Sequence, residues 1–211
     1  MKHTYLARAR VPALALAVAV SLAACSGGSD DDGGGHAMPG MSGGTSDATP
    51  GAEAGAEANA ADVMFAQMMV PHHEQAIEMA DVLLAKDGIG PELVDLAEQI
   101  KAAQGPEIET LTGWLEAWGA EPAADGHAGM GDGTGDGMMT AGDMQALDDA
   151  RGADAERLFL EQMVVHHEGA VDMARTEVSD GEHADAVAMA QSVVDTQTDE
   201  IQQMKELLGS R

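Results

Sequence analysis

The chain has little cysteine, few aromatic residues and few positive charges among its 211 residues. A single Cys cannot close an internal disulfide or supply a cysteine-based zinc cluster. Ten Lys and Arg face 37 Asp and Glu, for a formal charge of -27, and no basic cluster lies beyond the first ten residues. Because such a surface repels phosphate backbones, nucleic-acid binding is excluded as a leading function.

Methionine is abundant by contrast, with 15 Met residues beside two Trp, one Tyr and two Phe. A thioether side chain fills apolar cores, and it is also a soft donor for metal ions. The positions of these residues along the chain therefore bear on function.

The first 25 residues have the pattern of a bacterial lipoprotein signal. Basic residues among the first ten precede an apolar run over 11–20, and the sequence LAAC occupies 22–25. We predict a signal peptide over 1–24 and lipidation of Cys25, because acyl chains on that residue give stable membrane attachment. Its membrane partner would then be the extracytoplasmic face of the bacterial cell membrane.

Residues 25–60 are rich in Gly, Ala and acidic side chains and show no apolar period. Such a segment cannot bury enough surface to offset the entropy of ordering. It is predicted to be a flexible tether between the membrane and a folded domain over 61–209.

Helical periodicity begins at residue 60. An apolar stripe that includes Phe65 and Leu83 predicts a helix over about 61–86, and a second helix is predicted over about 91–118. Pro71 lies inside the first helix and should kink it or remove one hydrogen bond. A capping box at Thr140 predicts a short helix that ends near residue 150.

An internal repeat is the strongest signal in the chain. Residues 65–80 read FAQMMVPHHEQAIEMA and residues 159–174 read FLEQMVVHHEGAVDMA, with nine of sixteen positions identical. The helices that follow also correspond. Two helical hairpins, over 61–119 and 141–209 with a linker over 120–140, each have one apolar stripe to bury. An all-α four-helix bundle with pseudo-twofold symmetry is predicted.

These motifs resemble the domain of unknown function 305 family. The resemblance rests on MVPHHE at 69–74, the following Ala-x-x-Met-Ala turn and the later Gln-x-x-Glu-Ile, and it covers about 60–209. It implies a ferritin-like helical bundle that is often exported and often associated with copper. The second repeat departs from the pattern, because Val165 stands where the first has Pro71.

The repeated His and Met residues are candidate ligands for copper, most favourably Cu(I), because thioether and imidazole donors suit it. Met69 and His73 are four residues apart on one helix, as are Met163 and His167, so each pair lies on the same face. The candidate ligands are His72, His73, Met69, Met79, His166, His167, Met163 and Met173. Polar residues on the second helices are candidate partners of the histidines at the centre of each stripe, His72 and His166: Gln104, Glu107, Gln197 and Glu200.

A structural explanation competes with this prediction. A methionine stripe is usually core filler, and a central His is often a hydrogen-bonded core residue. Loop residues, which packing does not explain, offer a second set of candidates for metal capture: His36, Met38, Met41, His127, Met130, Met138 and Met139.

Other function classes find less support. A di-iron oxidase needs Glu-x-x-His motifs, and the sequence has none. A phosphate loop, a nucleophile triad and an HExxH motif are also lacking, so no enzyme activity is predicted. The alternative that stays open is an acidic surface interaction module with no metal and with structural histidines.

Overall fold

The computed structural model describes residues 57–123 and 137–210, and within these ranges the chain is all-α. The predicted helical bundle is confirmed. Its five helices are α1 (Ala60–Leu84), α2 (Pro91–Trp118), α3 (Ala141–Asp149), α4 (Gly152–Asp180) and α5 (Ala184–Gly209).

The predicted signal peptide, the predicted lipidation site at Cys25 and nearly all of the predicted tether lie outside the described ranges. In the part of the chain that is described, no helix is both long enough and apolar enough to span a membrane.

Local sequence sets where the helices begin. Asn59 caps α1, because its side chain accepts the amide of Ala61 at 2.7 Å while Asp62 accepts the amide of Asn59 at 2.6 Å. The capping box predicted at Thr140 opens α3, where its hydroxyl oxygen accepts the amide of Asp143. Pro91 is the first residue of α2, where a missing amide hydrogen costs nothing.

Helix α1 continues through Pro71, and the carbonyl that the proline leaves unbonded is used by another segment. Proline has no amide hydrogen, so the oxygen of Gln67 has no partner one turn later. The amide of Ala123 donates to this oxygen at 3.0 Å, and the Gln67 side chain donates to the carbonyl of Glu121 at 2.8 Å. The chain that leaves α2 is therefore docked on α1.

The four long helices form two hairpins. Helix α1 packs on α2, α4 packs on α5, and the two hairpins meet along α1 and α4, with α3 packed against both. Two apolar clusters fill the interior. The first surrounds Leu96 and Phe159, and the second surrounds Phe65 and Leu111.

A buried pair of acids joins the beginning of α1 to the end of α4. The Asp62 carboxylate accepts the amide of Glu182 at 3.1 Å and that of His183 at 3.0 Å. Glu177 faces Asp62, and burial together with this neighbouring carboxyl raises the pKa of Glu177 to about 8. This contact makes α1 and α4 antiparallel.

Candidate metal centre

Both histidine pairs lie at the crossing of α1 and α4. The ring centroids of His72 and His166 are 3.8 Å apart, with their planes inclined at 39°. His73 and His167 follow on the same helices, and each of the four side chains is at most 1% exposed. The crossing therefore gathers four imidazoles, two from each repeat, away from water.

His73 and His167, which we call the outer histidines, each lie beside a glutamate from the second helix of the same hairpin. His73 Nε2 lies 2.8 Å from Glu107 Oε2, and His167 Nε2 lies 2.9 Å from Glu200 Oε2. An ionised carboxylate only accepts hydrogen bonds, so Nε2 carries the hydrogen and, in the neutral ring, Nδ1 keeps its lone pair. Nδ1 of His73 and of His167 is buried and has no hydrogen-bond partner among the described residues.

His166 is held neutral by its surroundings. Burial lowers its pKa well below the usual value of 6.5, and the neighbouring rings of His72 and His167 lower it further. Neither of its ring nitrogens meets a hydrogen-bond partner within the described ranges. Only a neutral imidazole binds a metal ion, so this environment favours the form that ligates.

The methionines of the two repeats are grouped across the helix crossing. Met79 and Met163 belong to the first apolar cluster, whereas Met69 belongs to the second and Met173 packs against it. Met173 is only partly buried, while the other three are fully buried. The sequence predicts one stripe per repeat, each containing that repeat's own Met residues. In the structure, each apolar cluster instead combines one Met from α1 with one from α4.

The buried residues of α1 and α4 include two kinds of metal donor, imidazole nitrogen and thioether sulfur. Over the described ranges, no three His, Cys, Asp or Glu side chains have the arrangement needed to hold an ion. Imidazole and thioether donors suit Cu(I). The buried Nδ1 atoms without partners fit that chemistry.

The polar residues predicted beside the histidines divide into two kinds. Glu107 and Glu200 bond the outer histidines, although the sequence paired them with the central His72 and His166. The side-chain amides predicted as further partners, Gln104 and Gln197, are buried, and their oxygens have no partner within the described residues.

Of the loop candidates, Met138 and Met139 lie in the described part of the linker. The remaining loop candidates fall outside the described residues: His36, Met38, Met41, His127 and Met130.

The acidic residues after each histidine pair face outward, as their position in the helix predicts. Glu168 forms an ion pair with Lys205 at 2.8 Å, and Glu74 is exposed.

Sequence reasoning missed Gln75, which fastens the linker to α1. Its side chain both donates to the carbonyl of Met139, at 2.9 Å, and accepts the amide of the same residue, at 2.6 Å. The signal was present in the repeat, because position 75 is Gln and its equivalent, 169, is Gly. A difference at a position flanked by identical residues marks where the two copies have separate roles.

The all-α bundle and its sequence assign the chain to a known family. The sequence profile of the family described as "Domain of unknown function (DUF305)" matches residues 62–208, and the chain belongs to this family. Among curated protein sequences no significant match is found.

Solved structures of the same family are similar to this chain. A DUF305 protein of Streptomyces coelicolor, assigned as secreted, is 31% identical with a TM-score of 0.65, over 71% of this chain and 93% of that one. A DUF305 fragment from Deinococcus radiodurans is 27% identical with a TM-score of 0.65, over 73% of this chain and 99% of that one.

CopM in its Cu(I)-bound form is 31% identical to the chain, with a TM-score of 0.58, over 71% of this chain and 96% of CopM. CopM structures with Cu(II) and with silver match over the same share of this chain.

Proposed function

We propose that the chain is an extracytoplasmic, lipid-anchored protein that binds Cu(I) between α1 and α4 and sequesters it or passes it on. The ion would be held by donors from this set: His72, His73, Met69, Met79, His166, His167, Met163 and Met173. The observation that carries the proposal is the pair of buried Nδ1 atoms, on His73 and His167, that have no hydrogen-bond partner among the described residues.

A purely structural role explains these atoms less well. Leaving a buried polar atom unbonded costs about 1 to 3 kcal/mol, and this crossing repeats the cost in both halves. A bound metal ion would satisfy the lone pairs. Glu107 and Glu200 would then orient the rings and increase their basicity, as carboxylates commonly do behind metal-bound histidines.

The similarity to CopM supports copper as the ion, because CopM has been crystallised with Cu(I), Cu(II) and silver. Extracytoplasmic location is supported by the signal pattern before Cys25 and by the secreted assignment of the Streptomyces coelicolor relative. Attachment through lipidated Cys25 is the finer part of the proposal. Mass spectrometry of the chain from a bacterial membrane fraction tests it, since an unmodified or uncleaved N-terminus would refute lipidation.

Titration of the exported chain with Cu(I) against a competing chelator tests the core site. We expect His73→Leu combined with His167→Leu to remove tight binding while circular dichroism shows that the helices remain. The matched control is His183→Ala, which removes a half-buried histidine away from the crossing. Equal stoichiometry in the wild type and the double variant would contradict the core site. No stoichiometric Cu(I) binding by the wild type would favour an acidic interaction module without metal.

X-ray absorption tests the same site in the wild-type chain, so it needs no substituted variant. X-ray absorption of the Cu(I)-loaded chain should show both nitrogen and sulfur neighbours, and binding should weaken as the pH falls through the imidazole range, because protonated rings do not ligate. A spectrum with sulfur neighbours and no nitrogen neighbours would exclude histidine ligation.

A further inference from the structure

The end of the linker lies across the outside of the histidine crossing. Residues 137–139, which we call the strap, are fastened to α1 by the two hydrogen bonds between Gln75 and the backbone of Met139. Gln75 follows His73 by two residues. The strap is therefore fixed to α1 within one helical turn of the metal centre proposed above.

The other end of the strap is pressed against the backbone of α4. Gly137 has a φ of +79°, and a Cβ there would lie 2.6 Å from the carbonyl oxygen of Val165 and 3.0 Å from that of His166. Only glycine adopts this conformation and this approach without strain. The strap thus touches the same turn of α4 that carries His166, so it spans both halves of the crossing.

The two methionines of the strap connect the surface with the interior. Met139 is 8% exposed and belongs to the apolar cluster that contains Met79 and Met163. Met138 and Met139 both line an open cavity of about 340 Å³, beside Val165, which is 48% exposed. Met138 is therefore partly exposed to solvent, whereas Met139 packs in the apolar cluster that contains two candidate ligands, Met79 and Met163.

Two polar side chains, Gln162 and Glu161, line the cavity beside the methionines. Gln162 is 8% exposed, and its amide nitrogen donates to the carbonyl of Asp143 at 3.0 Å. Both carboxylate oxygens of Glu161 accept from Arg157 at 2.8 Å. The thioethers of Met138 and Met139 are the donors of this cavity that suit a soft cation.

We propose that Met138 and Met139 form an intake site, where Cu(I) or Ag(I) is first captured before it moves by ligand exchange to the buried histidines. This inference rests on the proposed function, because it assumes the core site as the destination. The ion keeps its charge throughout, and each step replaces one neutral donor by another. Core packing alone would account for Met139, but it does not require adjacent thioethers at a cavity that opens to solvent.

The kinetics of metal uptake test the intake site. Cu(I) is transferred from a coloured chelator complex to the full exported chain, and the rate and the final occupancy are both recorded. The variant is Met138→Leu with Met139→Leu, since leucine keeps the apolar volume without the sulfur. The matched control is Met144→Leu, a partly buried residue on α3 that packs against the same apolar cluster.

We expect the double variant to take up Cu(I) about tenfold more slowly, with unchanged final occupancy and affinity. The control should keep the wild-type rate. A wild-type rate in the double variant, or an equal slowing in the control, would overturn the intake site. Loss of equilibrium affinity would also overturn it, because the strap sulfurs would then be core ligands.

The two proposals fail in distinguishable ways. In a chain with His73→Leu and His167→Leu, the strap should still bind Ag(I) weakly, and adding the two methionine substitutions should lower the number of Ag(I) ions bound. An unchanged number of bound Ag(I) ions without Met138 and Met139 would refute the intake site alone. Tight Cu(I) binding in the histidine variant would refute the core site instead.

Discussion

The imidazole rings of His72 and His166 are in contact, with centroids 3.8 Å apart. They occupy equivalent positions in the two copies of the sequence repeat. Two buried basic rings in contact cannot both carry a proton without a large electrostatic cost. Folding, protonation and the proposed metal binding consequently involve the same atoms.

The metal-free protein should lose stability as the pH falls. His166 has a folded-state pKa well below its ordinary value of 6.5, because burial and the neighbouring His72 disfavour the charged ring. The unfolded chain therefore binds a proton that the folded chain does not, and the stabilisation present above pH 6.5 decreases below it. The slope should reach at most about 1.4 kcal/mol per pH unit for this proton.

Urea unfolding between neutral and acidic pH measures this slope, and His166→Leu should reduce it. The variant lacks the titrating ring, so its stability should change less over the same interval. A slope that is identical in the wild type and the variant would show that other groups cause the acid sensitivity.

Glu200→Gln should weaken Cu(I) binding more than Glu107→Gln does. Both carboxylates hold a histidine ring, but the Glu200 side chain is 4% exposed and that of Glu107 is 23% exposed, so water can replace Glu107 more readily. Loss of such a partner typically lowers metal affinity by about 10- to 100-fold. Chelator competition at fixed pH gives both affinities, and no change in either variant would exclude an orienting role for these carboxylates.

Glu177→Gln should stabilise the protein at alkaline pH. The folded-state pKa of Glu177, about 8, lies above its ordinary value of 4.5, so the stability that this group contributes is complete below pH 4.5 and is lost as the pH rises through 8. A glutamine is neutral at every pH, so it avoids the repulsion between two carboxylates at positions 62 and 177.

Thermal unfolding at pH 5 and pH 9 provides the comparison. The variant should gain stability relative to the wild type at the higher pH, while Glu182→Gln, an exposed neighbour, should behave like the wild type. If thermal stability changes equally between pH 5 and pH 9 in the Glu177 variant and in the wild type, Glu177 and Asp62 do not share a proton.

Pro71→Ala should release the chain that follows α2. Alanine restores the amide that bonds the Gln67 carbonyl within the helix, and this amide competes with that of Ala123, which now donates at 3.0 Å. Hydrogen exchange should therefore become faster at Ala123. Val165→Ala, at the equivalent position of α4, is the matched control, and unchanged exchange at Ala123 in the proline variant would contradict the docking role.

The helices and their pairing were predictable because they depend on local periodicity and on the repeat. The predicted span 61–86 differs from α1 by one or two residues, and 91–118 agrees with α2. The grouping of Met79 with Met163 was not predictable, since the register between helices is set by packing over the whole interface. Gln75 and Glu177 escaped notice for the same reason, because their partners lie far away in sequence.

The two copies of the repeat are no longer interchangeable. Where the first has Gln75 to grip the strap, the second has Gly169 to make room for it, and Pro71 frees a carbonyl that has no counterpart at Val165. Both ends of the described linker, at Ala123 and at Met139, are thereby bonded to α1. Residues that differ between the two repeats consequently determine which face of the histidine crossing the strap covers.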